Sequence, residues 1–577
     1  MPKGIGYNED KVKTKNDITE DATYNDEELA DELLKHLTTL EQIRQPWEDN
    51  WQVISDLVTP RRGSFKWDAN QQGNKYDTKI FDTTAIQAAR TMARGLMGTS
   101  APQTAPWFKL VYEKRSLNQD KQAAVWLEKS TRLLNHLFDK SKLYSAMEQL
   151  FNDGGAIATS CMWIVPHPSK LQIVFRTRHM KEMYLSTNQY GEVDVIYRRY
   201  ELQAREALKE FGEDAFEDAW VKTAKESPFQ TYKFVHCTYP REDKIAGKID
   251  AINKPIASIH ILEEGKKILK KSGYETNPYI PWRFELNPGE DYGTGPAWDV
   301  QTTILRINQE RKDTLNLAHK IADPPMNVAS ENVADFRRNF RPKGVLTYKD
   351  ENRLASPVVL GANYPVTQDI INDDQQEIKD AFMNNFFIAM LARQGRQATA
   401  TEINELAGEK TSMLSAISSR LNSEFFNPLF DRVWDIAQQN DWLPPLPESM
   451  AGKTGAIKVD YIGPLAQAMK RHAATQGIVG SMSNFAPFLE IYPQMADNID
   501  PDELALQLLE GSGMPSSIIK DRSIRDKERQ QRAQAQQEAI EAEKLAQTAD
   551  MIGKTTKAPE GGSGAEAIMN ELQQGPA

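Results

Sequence analysis

Leu29, Leu33, Leu37, Leu40 and Ile43 recur at spacings of three and four, which predicts a helix. Residues 1–25 before it are polar and read as a mobile arm. Pro46, Pro60 and Gly63 punctuate the stretch after this helix. FDTTAIQAARTMARGLMGTSAP predicts a second helix, with Asp82 or Thr83 as its N-cap and Gly98 and Pro102 at its end. A third runs from about Lys121 to Asp139, its apolar face marked by Val125, Leu127, Leu133, Leu134 and Leu137. Near Ala156 the pattern shifts. CMWIVP, LQIVFR, VDVIYRRY, YKFVHCTY and IASIHILEE are short β-branched and aromatic runs bounded by Pro, Gly and Asn. Residues 156–285 are expected to be mainly strand, with one helix near 201–225.

Long helices then return. One opens at Pro296 and stops before Pro324-Pro325. Its apolar stripe is thin: Val300, Ile304, Ile307, Leu315 and Ala318, with none in NQERKD. A helix inside a globule carries a broader apolar face, so this one reads as a strut. A Pro- and Gly-rich insert with strand-like GVLTY and SPVVL separates it from a second strut, about Gln368 to Ala392. Thr399 and Glu402 form a capping box that starts a third long helix, to about Gln439, with a kink expected at Pro428. Prolines break 440–520 into short helices. DRSIRDKERQQRAQAQQEAIEAEKLAQTAD is helical but has only Ile524, Ile540 and Leu545 as large apolar residues, too few to hold it in place alone. PEGGSGAEA marks a flexible tail.

Composition adds boundaries. At 577 residues the chain exceeds one ordinary core, and 40% hydrophobic with 26% charged residues is ordinary for a folded soluble protein. The net charge of −11 argues against a chain whose main task is gripping nucleic acid, so any DNA contact is local or weak. Against that background RQGRQATATE stands out: no acid occurs between Asp380 and Glu402, and Arg393 and Arg396 flank a glycine there. Cys161 and Cys237 are too few for a disulfide framework or zinc site, so a reducing compartment is expected. The N-terminal stretch lacks a secretory apolar segment, and no run of eighteen apolar residues occurs.

Catalytic chemistry is missing. AGKTGA at 451–456 has Pro447 where a phosphate loop needs its first glycine, and no apolar strand precedes it. GTGPAW lacks the third glycine of a dinucleotide fingerprint. The eight histidines show no ligand spacing, and neither HExxH nor GxSxG occurs. Glu290-Asp291 and Asp373-Asp374 read as solvated turns or helix starts rather than cation sites, and Asp299 and Glu310 as ordinary helix-surface charges. No metal, cofactor or enzymatic activity is expected.

RQPWEDNWQVISDLVTPRRGSF, the second-helix segment continued to TAPWFKL, PYIPWRFELNPGEDYGTGPAWDV, LAHKIADPPMNV and ATATEINE occur in this order. Together they resemble the head-to-tail connecting (portal) proteins of short-tailed double-stranded DNA phages. The matching marker residues are Trp47, Pro60, Asp82, Thr83, Trp107, Phe108, Arg283, Gly293, Gly295, Pro296, Pro324, Pro325, Thr401 and Glu402.

The resemblance implies an α+β, predominantly helical subunit of a ring at one capsid vertex, usually of twelve copies, through which DNA enters and leaves. On that plan residues 1–25 are the arm, 26–295 a wing, 296–322 a first stem helix, 323–365 a clip and 366–392 a second stem helix. Residues 393–401 are a channel loop, 402–440 a kinked wing-to-crown helix, 441–520 a crown, 521–550 a barrel helix and 551–577 a tail. Arg393, Gln394, Gly395, Arg396 and Gln397 would then face DNA phosphates without reading bases. The alternative for the two arginines is pairing with acids of a neighbouring subunit. Arg337, Arg338, Arg341 and Lys343 in the insert would meet tail adaptor proteins or the packaging motor, or else be solvated or paired between subunits. Implied partners are further copies of the chain, double-stranded DNA, the major capsid protein, the terminase motor, and tail adaptor and nozzle proteins. The implied location is the virion vertex, and the host cytoplasm during assembly. The rival readings are a packaging ATPase or nuclease, and a coat or scaffold protein.

Overall fold

The computed structural model describes residues 18–60, 62, 65, 80–114, 120–242, 250–322, 326–327, 356–357, 364–393, 416–447, 456–467, 500, 502 and 522–555. It divides into two units, Met1–Ala473 and Ala474–Ala577.

The first unit opens with α1 (Ile18–Val58), which starts inside the segment read as an arm. It also runs through Pro46, where the sequence suggested a break. Proline removes a backbone donor from a helix, so packing must hold the turn together. Here it does so on both sides. Arg44 is buried, with its guanidinium donating to the carbonyls of Met180 (2.9 Å), Met183 and Lys181 (3.2 Å), and it lies over the Tyr184 ring at 3.6 Å. Trp47 and Trp51 pack with Tyr292 at centroid distances of 5.7 and 5.1 Å, and Trp47 meets Trp298 at 5.2 Å.

Next come α2 (Thr84–Ser100), β1 (Phe108–Tyr112), α3 (Lys121–Lys140) and α4 (Leu143–Ile157). Asp120 caps α3 by accepting from the N–H groups of Gln122 and Ala123. The strand-rich region holds β2 (Thr159–Pro166), β3 (Ile173–Arg178), β4 (Met183–Thr187) and β5 (Val193–Gln203). Two helices come next where one was expected, α5 (Ala204–Phe211) and α6 (Asp218–Glu226), because Gly212 at φ 84° turns the chain between them. Then come β6 (Thr231–Pro240), β7 (Ile256–Leu262), β8 (Lys267–Tyr274) and β9 (Tyr279–Arg283).

These strands make a five-stranded antiparallel sheet in the order β4-β5-β6-β7-β8 and a three-stranded sheet, β3-β2-β9. Side chains alternate across a sheet, and each face of the larger one has its own cover. Ala30, Leu33, Leu37 and Leu40 of α1 pack with Tyr197, Val235, Cys237, Ile259 and Ile261. Burying each leucine there contributes about 1.5–3 kcal/mol. The other face, with Tyr200, Phe234 and Leu262, is covered by Ala204, Ala207, Phe216 and Ala224 of α5, α6 and their link. Both cysteines are buried, and burial raises both thiols, that of Cys161 to about 12, which leaves them unreactive.

The expected first strut is α7 (Pro296–Asp299) followed by α8 (Gln301–Ala322), with Val300 between them. Two short paired strands come after it, β10 (Met326–Asn327) and β11 (Ser356–Pro357). The second strut is α9 (Tyr364–Ala381) and α10 (Asn384–Arg393), not one continuous rod. Met383 sits between them at φ 53°, a left-handed conformation. The break has a packing reason: Phe382, Phe386 and Phe387 are all buried in the main core.

Thr399 and Glu402 lie outside the described residues. From residue 416 the helix is present, widens into a π turn over Leu421–Phe426, and continues as α11 (Asn427–Gln439). Pro428 explains the π turn, since its ring would clash with the carbonyl four residues back in a regular helix. Within 440–520, read from sequence as short helices, lies β12 (Ile457–Tyr461), which pairs with β1 across the whole register from Phe108–Tyr461 to Tyr112–Ile457. The main core gathers Trp107, Phe108, Phe138, Phe426 and Phe430, with Phe108 and Phe430 at 4.5 Å. The second unit contains α12 (Arg522–Thr555).

Candidate functional site

The segments that carry the candidate contact residues are framed by α8, α9 and α10. α10 ends at Arg393, and Gln394, Gly395, Arg396 and Gln397 come after it, outside the described residues. Arg337, Arg338, Arg341 and Lys343 fall between β10 and β11, also outside them. What the structure describes is the seat that holds these segments.

α8 buries only Thr303, Ile304 and Ile307. α9 buries Ile371, Asp374 and Ile378. Such narrow apolar lines are supplemented by ionic clamps. Arg306 of α8 donates from Nε to Asp374 Oδ2 at 2.9 Å and from a terminal nitrogen to Oδ1. Its second partner is Glu377 at 3.7 Å. The hydrogen bond with Asp374, then its charge, raises the Arg306 guanidinium above its ordinary value. Thr303 Oγ1 donates to Glu377 at 3.2 Å.

Asp374 is therefore not the solvated helix-start acid its Asp-Asp context suggested; it is buried, and its partner is the arginine across the pair. Glu310 departs from expectation too. Its Oε2 is buried and has no hydrogen-bond partner among the described residues, and burial, then the charge of Asp374, raises its carboxyl. Asp299 is likewise raised by burial. Asp291, of the other acidic pair, accepts from the N–H and hydroxyl of Thr187 at 3.1 and 2.5 Å.

A second joint fixes both struts to α2. Asp82 Oδ1 accepts from the N–H of Thr84 at 2.8 Å, so it tethers the helix start from one position outside the N-cap, Thr83, which makes no side-chain cap. Oδ2 accepts from Gln375 Nε2 of α9 at 3.0 Å and from Arg311 Nε of α8 at 3.4 Å. Burial alone would raise this carboxyl. The hydrogen bonds from Thr84 and Gln375, with the charge of Arg311, outweigh it and hold the carboxyl below its ordinary value. Asn308 Oδ1 accepts from the neighbouring N–H of Phe81 at 2.7 Å.

The third joint is steric. Gly95 of α2 lies against Phe387 of α10, and a Cβ at that position would come within 2.5 Å of the phenyl Cγ and 2.7 Å of Cδ1. Only glycine permits this approach. The glycine lets α10 pack this closely on α2.

Charge changes sign along the second strut. α9 carries Asp369, Asp373, Asp374, Glu377 and Asp380 against one Lys379, and all of these acids except Asp374 are exposed. α10 holds no acid and ends on Arg393. Other markers prove to be joints as well. Arg283 donates to Glu424 of the π turn at 2.8 Å and from its backbone N–H at 3.0 Å. A Cβ on Gly293 would meet the carbonyls of Ala158 and Glu285 at 2.8 Å. Among the described residues no group of three metal-ligating side chains occurs, and no helix is long and apolar enough to cross a membrane.

These features define an α+β subunit whose special residues clamp slender helices to a core. Residues 30–519 match the family described as bacteriophage head to tail connecting protein, and the chain belongs to that family. It is 28% identical to the portal protein of Salmonella phage epsilon15 over 543 residues, covering 91% of this chain and 95% of the relative. It is 27% identical to the probable portal protein of Bordetella phage BPP-1 over 537 residues, covering 90% and 94%. A chain from the neck of an empty GTA particle aligns over 72% of this chain and 93% of its own at 11% identity and a TM-score of 0.34, too loose a likeness to argue from.

Proposed function

We propose that this chain is the portal subunit of a short-tailed double-stranded DNA phage. Copies, twelve in number, close into a ring at one capsid vertex, and the bore passes the genome inward during packaging and outward during ejection. The observation that carries this reading is the near full-length match to two portal relatives within the connector family. The ring is a conduit and a platform, without enzymatic activity. It meets the major capsid protein, the terminase motor, and tail adaptor and nozzle proteins. It assembles in the host cytoplasm and ends in the virion.

On this plan the α/β part to about residue 295 is the wing, α8 and α9–α10 the stem, 323–365 the clip, 441–520 the crown, and α12 a barrel helix beside its symmetry mates. The thin apolar lines of the stem support it. Beyond Ile307 no described residue of α8 is buried, and Leu305, Leu315, Ile321 and Ile370 stand exposed on α8 and α9 in the single chain. Slender rods of this kind become rigid against identical neighbours.

Arg393, Gln394, Gly395, Arg396 and Gln397 form the loop that touches DNA phosphates. The exposed acids of α9 support this assignment, because a wall that repels DNA beside one ring of cations lets the duplex slide. Arg337, Arg338, Arg341 and Lys343 meet a tail adaptor or the motor. Class averages of the purified protein down the ring axis test the whole reading: a ring with a central hole is expected, and shells, rods or a persistent monomer would refute it. Replacing Arg393 and Arg396 by alanine is expected to impair packaging or DNA retention with rings intact; loss of assembly would instead assign both to subunit contacts.

A further inference from the structure

The sheet of β1 and β12 has one open edge. In its antiparallel ladder the Glu113 N–H donates to the Ala456 carbonyl at 3.0 Å and the Ile462 N–H to the Trp107 carbonyl at 2.9 Å. Bonded pairs alternate with unbonded ones along such a ladder. The backbones of Lys458 and Asp460 therefore face β1, and those of Ile457 and Val459 face the outer side. On the far side of β1 the Leu110 N–H is taken by Thr131 Oγ1 of α3 at 3.2 Å. Ile457 and Val459 make no outward backbone hydrogen bond among the described residues. The larger sheet protects its edges. On β4 the N–H groups of Leu185 and Thr187 donate to Tyr292 and Asp291 at 3.2 and 3.1 Å, and β8 carries Lys267, Lys270 and Lys271, charges that resist pairing.

A groove of about 700 Å³ runs along the open edge of β12. Its opposite wall is the helix that contains the π turn, which presents Ser418, Asn422 and Asn427. Asn427 accepts from the Tyr461 hydroxyl at 2.6 Å, which ties that wall to the strand. Short polar side chains there can bond the far side of a backbone laid against β12. The groove is acidic on balance. Among the described residues Glu113 and Asp431 form no ion pair, Asp460 is matched by Lys109 at 3.3 Å, and Lys458 is the remaining cation of the lining. An open strand edge beside such a groove is the form that accepts an added strand.

We propose that this edge takes Lys11-Val12-Lys13-Thr14-Lys15 of a second copy of the chain as a strand beside β12, a contact that rests on the self-association of the proposed ring. The segment alternates, so as a strand it places Val12 and Thr14 on one face and three lysines on the other, with no acid among the five. That charge suits the groove. The segment after α12 does not fit: it holds Glu560, Glu566 and Glu571 against Lys557 and is rich in glycine. Residues 1–17 lie outside the described residues, and a segment of that length spans up to about 56 Å when extended. α1 begins on a different sheet, with Asp26 paired to Lys271 of β8 and Asp31 to Lys266 at 2.7 Å. The arm of a neighbouring copy is therefore the occupant chosen.

The test uses the full-length protein. K458C is mixed with K11C, K13C or K15C before assembly and then oxidised; Cys161 and Cys237 are buried and stay out of the reaction. Neighbouring strands hold opposed Cα atoms about 4.5–5.5 Å apart, within reach of a disulfide. A disulfide-linked pair of chains is expected from at least one lysine position and not from V12C, which lies on the other face of the added strand. V459P in the K458C chain keeps the ladder with β1, because the N–H it removes points outward, and should cut the yield at least about tenfold. No linked pair from any of the three positions, equal linkage from V12C, or a yield unmoved by V459P overturns the proposal. So does linkage found only inside single chains that carry both cysteines, which would put the chain's own arm on the edge. Should V459P unfold the chain, the contrast between the lysine positions and V12C decides. If the protein stays monomeric, the ring reading fails by itself. A synthetic peptide of residues 10–16 carrying K13C, oxidised with the K458C protein, then decides for the edge: linkage supports it, and no linkage refutes it.

Discussion

Asp82 offers the sharpest test of how the core holds the long helices. Its two oxygens do different work: Oδ1 tethers the start of α2, while Oδ2 receives Gln375 and Arg311 from the two struts. A helix-start acceptor is worth about 1 kcal/mol. A hydrogen bond to a carboxylate adds about 1.5–3 kcal/mol, and the 3.4 Å contact from half-buried Arg311 adds little more. D82A loses both sides and is expected to cost about 3 kcal/mol. D82N keeps an acceptor for Thr84 but turns an amide N–H2 toward the donors of Gln375 and Arg311, so it should cost about 2 kcal/mol. The assay is the urea midpoint at one protein concentration, since ring closure stabilises by mass action. The pH dependence has a definite sign. The folded carboxyl lies below its ordinary value, so its contribution is full above about pH 3.9 and is lost as pH falls through the folded value. The gap between wild type and D82N should therefore close in acid. A D82N midpoint equal to wild type at neutral pH, or a gap unchanged at pH 2–3, would refute the role given to Oδ2. So would additive effects of R311M and D82N, because residues in contact should couple.

The packing dictates three further outcomes. Asp153 is buried against Arg62, whose Nε donates to it at 2.8 Å, and burial raises its carboxyl despite that partner. R62M should cost about 3–5 kcal/mol at neutral pH. The loss should shrink as pH falls toward 4, because a raised carboxyl destabilises the fold when ionised and the penalty disappears on protonation; urea midpoints from pH 4 to 8 would show it. G95V should cost about 1–3 kcal/mol by driving α10 away from α2, read as a lower melting temperature, and wild-type stability would mean the close approach to Phe387 is not required. A peptide of residues 522–555 should be poorly helical when dilute and gain helicity with concentration by circular dichroism, since the described side chains of α12 are nearly all exposed; full helicity independent of concentration would contradict the need for neighbours.

The elements that rest on strong periodicity were legible in the chain. α2, α3, the β-rich middle and both struts stand where the apolar spacing indicates. What was illegible depends on contacts distant in sequence. Pro46 reads as a break, and only the burial of Arg44 against residues 180–183 explains why α1 continues. Met383 has no local turn signal, yet three phenylalanines entering the core split the second strut there. Asp374 looks like a surface charge because its partner, Arg306, lies on another helix, and nothing local to Glu310 signals that one of its oxygens is buried. β12 was hidden among prolines, although AIKVDYI alternates; its partner β1 lies some 350 residues earlier. Of the candidate contact residues, sequence supplies the charge pattern, and the structure supplies the seat up to Arg393.

The joints share a logic. Asp82, Gly95, Arg306 and Asp374 each act between elements, and two of them join α2 to three other helices: its start is tied to α8 and α9 through Asp82, and its Gly95 receives α10. A helix pair with so few buried apolar residues cannot fix its own angle, because hydrophobic contact is not directional. Hydrogen-bonded ion pairs and a close glycine contact are directional. A subunit whose copies must close into a ring needs that angle reproduced in each copy, since a small error repeated around the circle leaves a gap. The clamps therefore matter more to closure than their share of stability suggests. D82N and R306M rings should show mixed subunit numbers or open arcs in class averages even under conditions where the single chain stays folded. Closed, uniform rings from both variants would show that neighbouring subunits, not these clamps, set the angle.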